Sequence, residues 1–368
     1  MDAARPRILL VGPAADGRGG ISTVTRLTLD ELADRAEIRL VVSFRDGSLL
    51  VRLATFARAI IPTVWAMAGG WADVLHVQLS FGGSVLRKGT FLLCARVFGV
   101  ATVVHAHGSS FVQWYDRLPT VWQRLVRRVL RADRVLVLGA PQEAAYQQRL
   151  RLEPGRLVLL PNPVQVPTGP RVRRSSDPGR TVVVFLGRFG ERKGAFDLIA
   201  SVEALPEPAA SRVRVVMAGD GAVDQVRQAV LDAGLDSVIS VRTWLDPAER
   251  DALLAEGDVF ALPSYEEGLP MALLESMAWG LAPVVTPVGA IADLIRDGEN
   301  GLLVPPGDRA AMTAALQRLT EDSDLVRGLG EQAGRTARDF AADIWAGRLL
   351  AIWQELADLS RRPRRRRR

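Results

Sequence analysis

Short apolar runs alternate with longer amphipathic stretches along almost the whole chain. Arg7 to Val11, Ile38 to Val42, Val74 to Val77, Ala101 to His105, Val135 to Leu138 and Leu157 to Leu160 each read as a buried strand. The stretches between them carry apolar positions at helical spacing. Such alternation predicts an α/β fold in which a parallel sheet is covered by helices on both faces. It stops at the proline-rich stretch Pro161 to Pro170 and the polar stretch Arg171 to Arg180, then resumes at Thr181 and continues to about Thr336. This break predicts an N-terminal domain over 1–165, a linker over 166–180 and a second domain of the same class over 181–340. A last helix is expected over 341–359, with Trp345, Leu349, Leu350 and Trp353 on one face.

The second domain holds the most informative pair of side chains. Val259 to Leu262 reads as a strand, Ser264 to Gly268 as a turn, and Pro270 as the first position of a helix through Trp279. Glu267 then sits in a strand-to-helix loop and Glu275 about a turn and a half into the helix. The helix start, Gly268, Leu269, Pro270 and Met271, offers backbone N–H groups and a positive dipole end at the carboxyl edge of the sheet, where a diphosphate would sit. A carboxylate accepts two hydrogen bonds from vicinal hydroxyls, so Glu275 suits a ribose diol and Glu267 the hydroxyls of a sugar beyond the phosphates. Both acids also suit the dipole of that helix without any ligand.

A second phosphate signal lies upstream, where the strand Val182 to Leu186 is followed by Gly187-Arg188-Phe-Gly-Glu-Arg-Lys193-Gly194 and a helix over Ala195 to Ala204. Of the 47 basic residues only Lys88 and Lys193 are lysines. Arginine is the default cation of this chain, so a lysine in such a loop stands out as a compact three-donor charge. Arg188 can fork onto two phosphate oxygens. A solvated basic loop would look the same in sequence.

The five segments Gly187-Arg188-x4-Lys193-Gly194, Ala218-Gly-Asp-Gly221, Ala255 to Ser264, Glu267-x7-Glu275 and Glu299-Asn-Gly301-Leu-Leu-Val-Pro305 together resemble the C-terminal half of the family 4 retaining glycosyltransferases of bacterial polysaccharide and cell-envelope synthesis. The N-terminal half resembles them more weakly, through Gly19-Gly20-Ile21 and His105-Ala-His107-Gly108. The resemblance implies the GT-B architecture, two Rossmann-like domains facing across a cleft, with the last helix returning to the first domain. It implies that Gly19 and Gly20 let the backbone approach the donor phosphates, and that His107 lies beside the transferred sugar. His105 and His76 are assigned to the acceptor side, a satisfied core histidine being the other reading of each.

Other chemistries fit less well. The loop from Gly12 to Gly20 does not make G-x-G-x-x-G, so a dinucleotide site with Asp46 on the ribose is set aside. The three histidines have no H-E-x-x-H pattern and no cysteine or acid at ligand spacing. The one Asp-x-Asp, Asp322-Ser-Asp324, reads as a helix cap. No metal or other cofactor is therefore expected, and Arg188, Lys193 and the helix start are expected to neutralise the diphosphate. The resemblance implies a UDP- or GDP-sugar donor, both of which stay open, and a saccharide or lipid-linked saccharide acceptor.

Composition changes the picture in three places. At 368 residues and 48% hydrophobic, the chain can bury two cores. The net charge of +6 suggests a nucleic-acid binder, but seven arginines lie in Arg361 to Arg368 and the remainder carries +6 − 7 = −1, so no nucleic-acid partner is expected. The tail, 360–368, is expected to be disordered, and an anionic membrane surface is its candidate partner. The single cysteine, Cys94, reads as a small buried residue, no secretory signal is visible before the first strand, and no uninterrupted apolar run spans a membrane. A cytoplasmic protein is expected, peripheral on the inner face of the membrane through Leu49 to Trp71 and the basic segment Arg117 to Arg134. A sugar-nucleotide epimerase of the same fold and a non-catalytic nucleotide-sugar-binding subunit remain alternatives.

Overall fold

The computed structural model describes residues 5–45, 48–153, 155–168 and 179–361. Asp46, most of the 166–180 linker and tail residues 362–368 lie outside the described residues. Two compact units form, Met1–Pro163 with Ala342–Arg368, and Val164–Ala341.

The first unit is built on six parallel strands, β1 Arg7–Pro13, β2 Glu37–Phe44, β3 Val74–Leu79, β4 Ala101–Ala106, β5 Arg134–Val137 and β6 Leu157–Leu159. Their order is β2-β1-β3-β4-β5-β6, so the direction of winding reverses between β1 and β3. Every residue of β3 is buried, as a strand covered on both faces requires. The last helix, Ala342–Arg361, belongs to this unit and buries Trp345, Leu349, Leu350 and Trp353. It runs through Ser360 and Arg361, two residues assigned in the sequence to the tail. The Arg361 guanidinium holds the carboxylate of Asp73, shared with Arg7, at 2.6 Å. Burial works to raise the Asp73 carboxyl, but bonds from Arg361 and Arg7 hold it below the ordinary range.

The second unit carries β7 Thr181–Leu186, β8 Val213–Ala218, β9 Ile239–Arg242, β10 Val259–Leu262, β11 Ala282–Val285 and β12 Leu302–Leu303. All pairings are parallel and the order is β12-β11-β10-β7-β8-β9. Read from β9, this is the 3-2-1-4-5-6 winding of a Rossmann sheet, with its switch point between β7 and β10.

Two expectations shift. Cys94 is half-buried and packs against the core of the first unit. The helix Leu49–Ala68 is long and apolar enough to cross a membrane, with mean hydropathy 1.4, although Arg52 and Arg58 interrupt its apolar run. Only 11% of that stretch is buried.

Candidate functional site: the carboxyl edge of β7 and β10

The two loops singled out in the sequence leave adjacent strands at the switch point of the second sheet. The loop after β7 ends in the short 3-10 turn Glu191–Lys193, and the loop after β10 leads into the helix Met271–Ala278. Pro270 is the cap of this helix rather than its first residue, because its backbone is extended, and no side chain caps the first turn. Two glycines let these segments close on one another. Gly194 has φ +67, and a Cβ there would lie 2.1 Å from the carbonyl oxygen of Pro263. Gly289 has φ +60, and a Cβ there would lie 2.1 Å from the carbonyl oxygen of Glu267. Only glycine fits either place.

Lys193 and Glu267 meet there. The Lys193 ammonium donates to Glu267 Oε1, and Ser264 Oγ donates to the same oxygen at 2.8 Å. Arg192 lies 3.9 Å from Glu267 Oε2 and donates to the Glu266 carbonyl at 2.9 Å. Glu267 is 9% exposed and its lysine partner little more, so the pair is largely withdrawn from water. Arg188 is exposed, and among the described residues no ion pair engages it. Glu275 is half-buried one turn into the helix, and its Oε1 accepts from Arg250 Nη1 at 2.7 Å. Arg250 sits on the helix Pro247–Glu256 and also grips Asp251. Sequence reading missed Arg250, Arg192 and Ser264; only Ser264 and Arg192 carried a signal, their adjacency to the two loops. Gly268, Leu269, Pro270 and Met271 form the floor of this edge, Leu269, Pro270 and Met271 buried and Gly268 half-buried.

The residues expected on the first unit fall in two groups. Gly19 caps the helix Gly20–Leu32 with φ +101, and a Cβ there would meet nothing within 4 Å, so the space beside it is open. His76, His105 and His107 lie together, ring centroids 5.5 Å apart for the first two and 4.0 Å for the last two. His76 and His105 are buried in the core rather than at an acceptor surface. His76 Nδ1 accepts from Trp353 Nε1 at 3.0 Å, and His105 stacks near Trp345. The last helix therefore covers them, which no local pattern in the strands announces. His107 is half-buried, bonded by the Asn162 side chain, and its Nε2 has no hydrogen-bond partner among the described residues. Burial pushes His76 down to about 3 and His107 down to about 4, and His105 falls well below the usual histidine range for the same reason.

Among the described residues no group of three or more metal-ligating side chains comes together. Asp322 caps the helix Ser323–Ala337 through the Leu325 N–H at 2.9 Å, as its spacing predicts. The edge of the second sheet can thus present cations, an uncapped helix start and two carboxylates to a ligand.

The segment that carries this arrangement is similar to known proteins. Residues 180–322 match the model described as Glycosyl transferases group 1. The exopolysaccharide phosphotransferase SCO2592 of Streptomyces coelicolor is 31% identical over 236 residues, 63% of this chain and 24% of that protein. The lipopolysaccharide core biosynthesis glycosyltransferase LpsE of Rhizobium meliloti is 35% identical over 156 residues, 42% of this chain and 44% of that protein. The chain thus spans less than half the length of either relative. Among solved structures, sucrose-phosphate synthase from Thermosynechococcus elongatus superposes with TM-score 0.80 at 21% identity, covering 96% of this chain and all of that one. Anabaena HepE in complex with UDP gives 0.73 at 16%, covering 95% and 100%. At such identities the likeness to solved structures concerns the fold, which is GT-B, and residues 180–322 are similar to the group 1 glycosyl transferases.

Proposed function

We propose that this protein is a retaining glycosyltransferase that moves a hexose from a nucleoside diphosphate donor to a hydroxyl of a saccharide or lipid-linked saccharide acceptor, in polysaccharide or cell-envelope glycan biosynthesis. The observation that carries the reading is the buried Lys193–Glu267 pair at the β7/β10 switch point, inside the group 1 segment. The fold neighbour HepE is a complex with UDP, which supports a nucleotide donor of that kind; a GDP-sugar fits the same chemistry.

In this reading the diphosphate lies at the start of the Met271–Ala278 helix, with Arg188, Arg192 and Lys193 as counter-charges. As the bond from the anomeric carbon to the phosphate oxygen breaks, negative charge grows on the diphosphate, and cations already fixed in place stabilise it without reorganising. Lys193 is fixed by Glu267, and Glu267 by Ser264. The acceptor oxygen bonds to the anomeric carbon on the face the phosphate leaves, and its proton passes to the leaving phosphate. Glu275, steadied by Arg250, holds the ribose diol, and Glu267 Oε2 faces the sugar hydroxyls. His107, whose Nε2 is one of several buried polar atoms of the first unit without a hydrogen-bond partner among the described residues, is read as the group beside the transferred sugar. Arginines and lysine take the part that a divalent cation plays in other transferases, so the reaction is metal-independent. The protein works in the cytoplasm, peripheral on the inner face of the membrane.

Calorimetric titration of the whole chain with UDP and GDP tests the donor site. Micromolar binding of one nucleotide, weakened at least tenfold by Arg188→Ala and by Glu275→Gln, is the expected result. Binding of neither would remove the reading.

A further inference from the structure

Three neighbouring helices of the first unit expose apolar side chains that the unit does not use. The helix Leu49–Ala68 turns Ala59, Thr63 and Met67 inward, at four-residue spacing. Its opposite face carries Leu50, Leu53, Ile61 and Trp65, all exposed, Trp65 to 74%. That helix packs on β2 and on the next long helix, Gly83–Phe98, with the rings of Phe56 and Phe91 edge to face at 5.7 Å. The second helix again buries one side and exposes Leu93 and Val97, the latter to 78%. It packs in turn on the helix Thr120–Val129, which exposes Trp122. The three form one layer whose outer apolar stripes face away from the sheet. A surface of this kind is uncommon on a protein that meets only water.

Charge decides what covers it. None of the three helices contains an aspartate or glutamate, whereas outside the buried Lys88 they carry Arg52 and Arg58, Arg87 and Arg96, and Arg124, Arg127 and Arg128. A second copy of the chain would set arginine against arginine. Exposed apolar residues flanked only by arginines match instead the headgroup boundary of an anionic bilayer, into which the apolar side chains dip while guanidinium groups meet lipid phosphates.

We propose that the outer face of these three helices is a docking surface for an anionic lipid bilayer, with the Leu49–Ala68 helix lying in the plane of the interface. This rests on the peripheral placement proposed above, though not on the transfer chemistry. The inward stripe of Ala59, Thr63 and Met67 ties the helix to the sheet and fixes it flat rather than spanning.

The test is flotation of the full chain with vesicles of phosphatidylcholine alone and of phosphatidylcholine with 30% phosphatidylglycerol (about one lipid in three anionic). Binding to the anionic vesicles only is expected. It should fall at least tenfold in Leu53→Glu/Trp65→Glu, fall about fivefold per charge in Arg124→Gln and Arg128→Gln, and persist when residues 362–368 are deleted. All these positions are exposed, and an unchanged thermal midpoint and nucleotide affinity verify that the variants fold. Binding that survives Leu53→Glu/Trp65→Glu but vanishes with the tail overturns this face while leaving the peripheral placement intact. Absence of binding to either vesicle overturns both. Self-association abolished by the same double variant, without vesicle binding, overturns the bilayer in favour of a second copy.

Discussion

Lys193 and Glu267 are 74 residues apart in the chain and meet as an ion pair with both side chains mostly out of water. Each comes from the loop following its own strand, and the two strands are neighbours only because the sheet reverses its winding between them. Removing Lys193 leaves the buried Glu267 carboxylate with only the Ser264 hydroxyl and Arg192, 3.9 Å away, beside it. Lys193→Met is expected to cost about 3 kcal/mol in urea unfolding. The double variant Lys193→Met/Glu267→Gln should regain most of that stability while staying inactive. Recovery of activity along with stability would show the pair to be structural only.

Gly289 offers a sharper probe of the same loop. An alanine there meets the Glu267 carbonyl oxygen and must also adopt a left-handed backbone. Gly298 has a similar φ, +74, but open space around it. Gly298→Ala should cost about 1 kcal/mol of stability, the backbone term alone, and leave donor affinity unchanged. Gly289→Ala should cost more and weaken donor binding, because Glu267 must move. Equal effects of the two in a paired unfolding and titration experiment would contradict this.

Acid should loosen the first unit through its histidines. Folded-state values of about 3 for His76 and about 4 for His107 lie below the ordinary 6.5. Above 6.5 both folded and unfolded forms are neutral and the full stability is present. As the pH falls below 6.5 the unfolded chain takes up protons that the folded chain refuses, so stability declines until the folded values are reached. Each such histidine contributes a slope of up to about 1.4 kcal/mol per pH unit. His76→Asn, which keeps an acceptor for Trp353 Nε1, should flatten the decline between pH 6 and 4 by about one proton.

Lys88 works in the opposite range. Burial, with the Arg87 charge nearby, pushes its amine down to about 7. Below pH 7 the ammonium is charged in both states and its burial penalty is complete. Between 7 and 10.5 the unfolded chain holds the proton more tightly, so stability rises with pH across that window. Lys88→Met should be more stable than the parent at pH 7 and should lose this rise, as denaturant titrations at pH 7, 8.5 and 10 would show.

Much of this was legible beforehand because it is written in local pattern. Val259 to Leu262 forms the strand at the predicted limits, and Asp322 caps the helix its spacing announces. The Lys193 and Glu267 loops could be identified by turn chemistry and by the rarity of lysine, since both properties belong to the loops themselves. Arg250 could not: its pairing with Glu275 depends on how the Pro247–Glu256 helix packs, 25 residues upstream. The same limit explains His76. A histidine at a strand end reads alike whether it meets a ligand or, as here, a tryptophan 277 residues away. Nor does periodicity reveal that the Leu49–Ala68 helix keeps its widest apolar face outside; only tertiary packing decides which stripe is covered.

The proposed reaction is a cation-assisted transfer from a nucleotide sugar at the β7/β10 edge. The most direct measurement is steady-state release of UDP or GDP from a panel of their sugars, with chelator present, by the parent chain, Lys193→Met and Glu267→Gln. Release from one donor is expected, undiminished by chelator and at least a hundredfold lower in both variants, with the product keeping the donor's anomeric configuration. Release that requires a divalent cation, or that both variants retain, would contradict it.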